Sequence, residues 1–593
     1  MRISGGEDPR GSPSSTSFDR TVRSPLQVAL ALVLAASAGS LPAQSPTYDL
    51  LLRGGHVLDG TGNPAARADV AVLDGRIAAV GRLPGATATH VVDVSRRIIS
   101  PGFIDLHSHA EGGLASDDSR RRAAPNLVTQ GITSVCVNPD GAGPWPLAAQ
   151  RAKFEAGGVG PNILQFIGHG TIRRLALGSD FKRAATDAEL TKLRDLVRLG
   201  LREGAWGMSA GLEYVPGIWS TTDELIALVG ELAPVGGTYI VHHRSESTDP
   251  RWHRPSVDPA GMPTLLDAVR ETIHIGETTG ATVVWSHAKV MGAHYWGAST
   301  AAIRLIAEAR ARGNDVWADQ YPYNSTGGDG AVVLVPAWAI GDDPFSSARG
   351  RAAGPKLEFS YAENLRQAMA DPALAEKVRR DVHHEIARRG GPENIVVFDF
   401  PDRSYIGRNL AELAKNQKLS PFAMALELQY RGFRDRPGGS RLRGFSVWED
   451  DVDALMRQPW TATSTDAGVV LPEDGPDVHA RYYGSYPRKL RHYALDRRVV
   501  TLEEAIRSST SLPAQILGLR DRGLVREGLA ADLVVFDPAT VRDRATFAEP
   551  HQPAEGIELV LVNGQAVVES SRVTGALPGR VLLPPRRSER GRP

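Results

Sequence analysis

A chain of 593 residues with 42% hydrophobic content exceeds one ordinary domain and can bury large cores. Lys+Arg and Asp+Glu both total 68, so no charge excess points to a nucleic-acid partner or a generally acidic ligand. The single cysteine, Cys136, excludes an intramolecular disulfide framework and a cysteine-based zinc knuckle.

The N-terminus reads as an export signal. Residues 1–19 are polar and rich in Gly, Ser and Pro, Arg20 and Arg23 follow, and the apolar run Val28 to Ala36 leads to Leu41-Pro42-Ala43. A charged region, a short apolar region and small residues predict cleavage after Ala43, within a leader of residues 1–43. The run is too short for a comfortable membrane span, and no cysteine stands ready for lipid anchoring. The expected location is periplasmic or secreted, with no stable membrane span after cleavage.

Residues 46–100 read as short strands joined by turns, with Asp69 to Leu73 meeting Asp74-Gly75, a hairpin signal. A stretch of similar character, residues 524–593, includes Leu533 to Phe536 and Ile557 to Val562 followed by Asn563-Gly564. Between them, residues 101–523 alternate apolar strand-like runs with helix-like stretches. Pro101 to Leu106 ends in His107-Ser108-His109. On a strand, residues two apart share a face, so the two imidazoles converge on one point, as a metal ion requires. Taken alone, the pair fits a structural or surface role equally well.

What favours a metal is repetition. Thr238 to Val241 leads into His242-His243-Arg244, Ala281 to Ser286 into His287-Ala288-Lys289, and Thr461 to Thr465 into Asp466. Thr221-Thr222-Asp223-Glu224 has capping-box form, and Leu265 to Ile275 shows helical apolar spacing. Strand, polar group at the strand end, helix, repeated, predicts an α/β fold, the (β/α)8 TIM barrel with its chemistry at the C-terminal ends of the strands. The stretch 326–455 is long for one βα unit, with a helical Ala362 to Ile386 and a strand-like Ile395 to Phe398, and reads as an insertion. It is either a lid that excludes water from the site or a peripheral addition.

The segments PGFIDLHSHAE (101–111), QGITSVCVNPDG (130–141), GAWGMSAGLEYVPG (204–217), YIVHHRSES (239–247), VVWSHAKVMG (283–292), DQYPYNST (319–326), STDAG (464–468), HARYYGSYPRKL (479–490) and ADLVVFDP (531–538) together resemble the amidohydrolase superfamily. More narrowly they are similar to the N-acyl-D-amino-acid deacylases, over nearly the whole chain after the leader. The resemblance implies a composite β-sandwich domain built from both termini around the barrel. It also implies metal-dependent hydrolysis of linear amide bonds in small N-acyl-D-amino acids, with one or two divalent ions, Zn2+ first and Mn2+ or another metal as alternatives. By the same resemblance His107, His109, His242 and His287 are metal ligands. Asp140 stands where the best-known members carry a bridging cysteine, and either bridges as a carboxylate or serves only the turn before Gly141. Cys136 reads as core packing and His243 as facing away from the metal.

Asp466 is the expected proton carrier, with Lys289 a second catalytic group near the substrate. Arg481 matches a His-Pro-Arg element that holds the substrate carboxylate, with Ala480 in place of proline. Tyr323 and Ser325 match a further carboxylate-contacting segment, and Tyr214 and Glu213 flank the pocket. Arg488 and Lys489 receive no role. Neither serine-nucleophile chemistry nor a nucleotide cofactor is expected. Three alternatives stay open. One is a peptidase on D-containing or cell-wall peptides. Another is a hydantoinase- or dihydroorotase-like cyclic amidase, which wants a bridging lysine for which Lys153 is the nearest candidate. The third is a non-catalytic metal-binding protein.

Overall fold

The computed structural model describes residues 47–341 and 359–585; the leader and its cleavage point after Ala43 lie outside them. Among the described residues, eight parallel strands form the barrel. In chain order they are Phe103–Asp105 extended by Ser108–His109, Ile132–Val137, Asn162–Gln165 extended by Ile167–Gly168, Gly207–Gly211, Thr238–His242, Thr282–Trp285, Val316–Gln320, and Thr461–Thr463 extended by Ala467–Gly468. The last strand pairs in parallel with the first, Ala467 opposite Ser108 and Gly468 opposite His109, which closes the ring. Ile132–Val137, Gly207–Gly211 and Thr238–His242 are buried along their whole length, as expected when side chains fill a barrel on one face and meet helices on the other.

Helix starts follow the local signals. Thr264 caps Leu265–Thr279 in a reciprocal box with Asp267, and Gly280 at φ +70° ends that helix. Only half of the predicted box at Thr221 forms: its hydroxyl accepts from Glu224 N. The Glu224 carboxylate turns instead to His169 and Arg173, both buried, because an arginine held in the interior needs a counter-charge more than a helix end does.

One nine-stranded sheet draws on both ends of the chain. Ile98–Pro101 pairs antiparallel with Leu533–Phe536, joining five N-terminal strands to four C-terminal ones. Leu52, Val70, Ile77, Ile99, Leu533 and Leu561 belong to its buried cluster. The predicted hairpin turn forms at Asp74 and Gly75, both at positive φ.

Between the seventh and eighth barrel strands lies an insertion with its own core, including Val378, Val382, Ile395, Leu413 and Leu428. The single helical stretch expected over Ala362 to Ile386 is two helices, Tyr361–Ala370 and Pro372–Arg388. Pro372 cannot continue the first helix, and the Asp371 carboxylate accepts from Ala373 N and Leu374 N to start the second. The expected strand is present as Ile395–Asp399, paired with Arg441–Gly444.

Candidate active site

Six of the sequence-predicted residues meet at the C-terminal mouth of the barrel. His107 Nε2 and His109 Nε2 are 3.4 Å apart. The Asp140 carboxylate lies among the imidazoles, with Oδ1 3.5 Å from His107 Nε2, 3.4 Å from His287 Nε2 and 3.9 Å from His242 Nδ1, and Oδ2 3.5 Å from His109 Nε2. Asp466 Oδ1 is 3.2 Å from His109 Nε2 and 3.6 Å from His107 Nε2. Three of the six hold left-handed backbone, Asp140 at φ +55°, His287 at +38° and Asp466 at +50°. Such conformations cost about 1–3 kcal/mol each and persist where surrounding structure enforces them to aim a side chain. Gly141 follows Asp140 at φ +74°, and a Cβ there would meet Gly211 N at 2.9 Å, so this turn requires glycine.

The second nitrogen of three rings is tied down. His107 Nδ1 lies 2.5 Å from Ser286 Oγ, whose hydroxyl donates to Asp319 Oδ2 at 2.9 Å. The serine proton is thus committed, so His107 donates from Nδ1 and turns an unprotonated Nε2 to the centre. Burial pushes the His107 imidazole down to about 3 and keeps it neutral. His242 donates from Nε2 to Glu213 Oε2 at 3.1 Å, which leaves Nδ1 facing His287 Nε2 at 2.9 Å. His287 sets Nδ1 against Glu246 Oε1 at 3.1 Å and Lys289 Nζ at 2.6 Å. Burial and the Lys289 ammonium push the His287 imidazole down, but Glu246 and Asp140 outweigh them and hold it at about 10.

The donor set suits a divalent metal. Ligating atoms of His107, His109 and Asp466 lie within 4.8 Å of one another, as do those of His107, Asp140 and His287. Asp140 Oδ1 is buried without a hydrogen-bond partner, an arrangement that a cation held among these side chains would satisfy. Zinc and other borderline metals accept this mixture of imidazole and carboxylate.

Lys289 lines the cavity, but its ammonium is ion-paired with Glu246 rather than free. Asp466 Oδ2 lies 2.9 Å from Arg481 Nη1, close enough for strong attraction but out of line for a hydrogen bond, so Arg481 Nε and Nη1 remain buried donors without acceptors. Burial raises the proton affinity of Asp466, but Arg481 and His109 hold its carboxyl well below the usual range. Tyr214 lines the cavity with its hydroxyl 3.3 Å from His242 Nδ1. Tyr323 and Ser325 stand behind Arg481: the Tyr323 hydroxyl donates to Ala480 O at 3.3 Å, and Ser325 O accepts from His479 Nε2 at 2.9 Å. The cavity measures about 620 Å³ and receives Arg389 from the insertion.

Other expectations resolve by position. His243 faces away, bonded to Thr272 Oγ1 at 2.9 Å and stacked on Trp285, and Cys136 is in the barrel core. Lys153, which a cyclic amidase would place at the metal, is exposed on the helix Leu147–Gly157. Gly207-Met208-Ser209-Ala210-Gly211 has Gly-x-Ser-x-Gly form, a match the sequence reading passed over. It is a barrel strand in which Ser209 Oγ donates to Asn138 O at 2.6 Å and accepts from Gly141 N at 3.1 Å, a bracing role. Sequence reasoning also missed Glu246, Ser286 and Asp319. The available signals were Glu246 four residues beyond His242 and a charged Asp319 inside the apolar strand Val316–Gln320.

Residues 379–568 match the model of the amidohydrolase family. The chain is 33% identical to a D-aminoacylase of Alcaligenes xylosoxydans xylosoxydans over 91% of this chain and 98% of that protein. It is 31% identical to an N-acyl-D-glutamate deacylase of the same organism, over 90% and 96%. Among solved structures, an N-acyl-D-glutamate deacylase from Bordetella bronchiseptica, complexed with zinc and a phosphonate mimic of the tetrahedral intermediate, superposes with a TM-score of 0.68 at 30% identity, covering 91% of this chain and all of that one.

Proposed function

The chain belongs to the D-aminoacylase family of amidohydrolases, and from that premise we propose that it hydrolyses the amide bond of N-acyl-D-amino acids, releasing a carboxylate and a free D-amino acid. The observation that carries this reading is Arg481, whose unsatisfied donors lie beside Asp466 and the imidazole cluster in one cavity. His107, His109, His242 and His287 with Asp140 would hold one or two divalent ions, zinc first. A metal there supplies Lewis-acid polarisation of the scissile carbonyl and of the attacking water.

The chain's own residues do the rest. Arg481 takes the substrate's α-carboxylate in a planar, two-pronged contact and so fixes the distance from that group to the cluster. Asp466 Oδ1, turned toward His107 and His109, accepts a proton from the attacking water and returns it to the leaving nitrogen. Burial keeps the Tyr214 phenol protonated, so its hydroxyl is a donor for the oxygen that gains charge. Glu213 and Ser286 hold the rings in the required tautomers.

The test is amine release by metal-replete protein from paired D- and L-N-acetyl amino acids. Release from the D members alone is expected; release from neither, or equally from both, counts against the reading. We also propose that the enzyme works outside the cytoplasm, on the strength of Arg20, Arg23 and the apolar run Val28 to Ala36. N-terminal sequencing of protein from a cell-envelope fraction should begin at Gln44. No helix among the described residues is long and apolar enough to cross a membrane.

A further inference from the structure

The insertion helix Pro372–Arg388 ends in a buried guanidinium. Arg388 directs its donors at one short segment of the loop that follows the fifth barrel strand. Nη1 donates to Arg251 O at 2.5 Å, and Nη2 donates to Pro250 O at 3.0 Å and to the Asp249 carboxylate. A buried arginine needs a counter-charge, and Asp249 supplies it. The two carbonyls are a further commitment, made to the main chain. The helix end is also pressed close to the loop after the sixth strand. Ala293 N donates to Ala387 O at 2.9 Å, and a Cβ on Gly292 would lie 3.3 Å from Arg388 Cα.

Pro250 O and Arg251 N–H belong to one planar trans peptide group, so they point in opposite directions. Arg388 stands on the carbonyl side. Glu213 stands on the N–H side, where its Oε1 accepts from Arg251 N at 2.9 Å. The other carboxylate oxygen, Oε2, accepts from His242 Nε2 at 3.1 Å, and Nδ1 of that ring faces the cluster. A charged donor on the carbonyl fixes the plane of this peptide and strengthens its N–H as a donor. Guanidinium, peptide, carboxylate and imidazole thus form one line of hydrogen bonds from the insertion to the centre. Asp381 ties the insertion to the same loop farther along, accepting from Ser256 N at 3.0 Å and Ser256 Oγ at 2.6 Å, and lies off this line.

We propose that Arg388 is a positioning residue for the metal ligand His242, acting through the Pro250–Arg251 peptide and Glu213. This rests on the ligand reading of His242 above. The insertion then does more than border the cavity: it holds the direction of one imidazole in the cluster. Loss of Arg388 frees the peptide to rotate, weakens the contact of Arg251 N–H with Glu213 and lets the His242 ring turn, so that a metal is held less tightly.

Zinc affinity of the metal-free full chain, measured by competition with a chromophoric chelator, tests this. Arg388→Met should weaken it by roughly 3- to 30-fold, the range of coupling through one network. Arg388→Lys keeps a charge beside Asp249 but not the planar fork, and should recover part of the loss. Asp381→Ala, which cuts the insertion from the loop at Ser256, should stay within about twofold of wild type. The effects of Arg388→Met and Glu213→Ala should not add: the double variant should bind zinc about as well as Glu213→Ala alone, because both act on one contact. Unchanged affinity in Arg388→Met, an equal loss in Asp381→Ala, or full additivity with Glu213→Ala would overturn the proposal. Where circular dichroism shows Arg388→Met unfolded, Arg388→Lys decides by the same comparisons. His242→Ala separates the two readings. If it leaves zinc affinity unchanged, the ligand reading fails and Arg388 falls with it; a loss in His242→Ala without one in Arg388→Met rejects Arg388 alone.

Discussion

Arg481 Nη1 lies 2.9 Å from Asp466 Oδ2, so the group proposed to read the substrate and the group proposed to carry the proton share one charge contact. Arg481 is the strongest force opposing burial in keeping Asp466 ionised. A substrate carboxylate arriving on Arg481 screens that charge and raises the proton affinity of Asp466 when the carboxylate must accept a proton. On the proposed roles, binding and base strength would be coupled through one guanidinium.

Arg481→Ala should reduce kcat/KM on an N-acyl-D-amino acid by roughly 10- to 150-fold, the equivalent of ~1.5–3 kcal/mol. The loss should largely vanish on the corresponding amino-acid amide, which has no carboxylate to hold. Asp466 is depressed in wild type, so removing Arg481 lets it rise, and the acid limb of the kcat/KM profile should move to higher pH. Arg481→Lys should recover only part of the loss. Equal cleavage of acid and amide by wild type would show that the carboxylate is not read.

Asp466→Asn preserves size but cannot take a proton. Turnover should fall by at least ~10²-fold, with circular dichroism unchanged. A near-normal kcat would remove Asp466 from the mechanism.

Elemental analysis checks the ligand set. His287→Ala and Asp140→Ala should each lower metal content per chain, because both residues contribute to the same group of ligating atoms. Full occupancy in Asp140→Ala would return that carboxylate to a turn-forming role.

Protons and metal compete for the same imidazoles. The His287 ring is held at about 10, above its ordinary value, so in metal-free protein it carries a proton at neutral pH that a bound ion displaces. Affinity should therefore rise as pH rises toward that value, by about tenfold per unit for each proton displaced. Zinc titrations at mildly acidic and mildly alkaline pH measure this; a flat response would show that His287 is already neutral.

Glu213 acts through His242. Glu213→Ala removes the acceptor that fixes the ring and should cost about 10- to 100-fold in metal affinity or activity. Glu213→Gln keeps a carbonyl acceptor and should lose less. Equal losses in the two variants would point to packing instead of ring orientation.

Much of this was legible in the chain itself. Apolar runs ending in His109, His242, His287 and Asp466 announce strands with chemistry at one end, because strand periodicity and burial are local properties of sequence. The capping signals at Thr264 and the turn at Asp74-Gly75 are local in the same sense, and both formed. Where a signal depended on a distant partner, sequence reading fell short: Glu224 left its helix end for Arg173, 51 positions away, and Glu246 became the partner of Lys289, 43 positions on. Ser286 and Asp319 orient His107 across a separation of 179 residues between the serine and the ring. Only closure of the barrel brings those side chains together. Residue types and spacing thus pointed to the groups that would hold a metal, whereas the tertiary structure decided which nitrogen of each ring turns to the centre of the cluster. Tautomer, burial and pairing are set by neighbours in space, and for this site those neighbours come from every part of the ring.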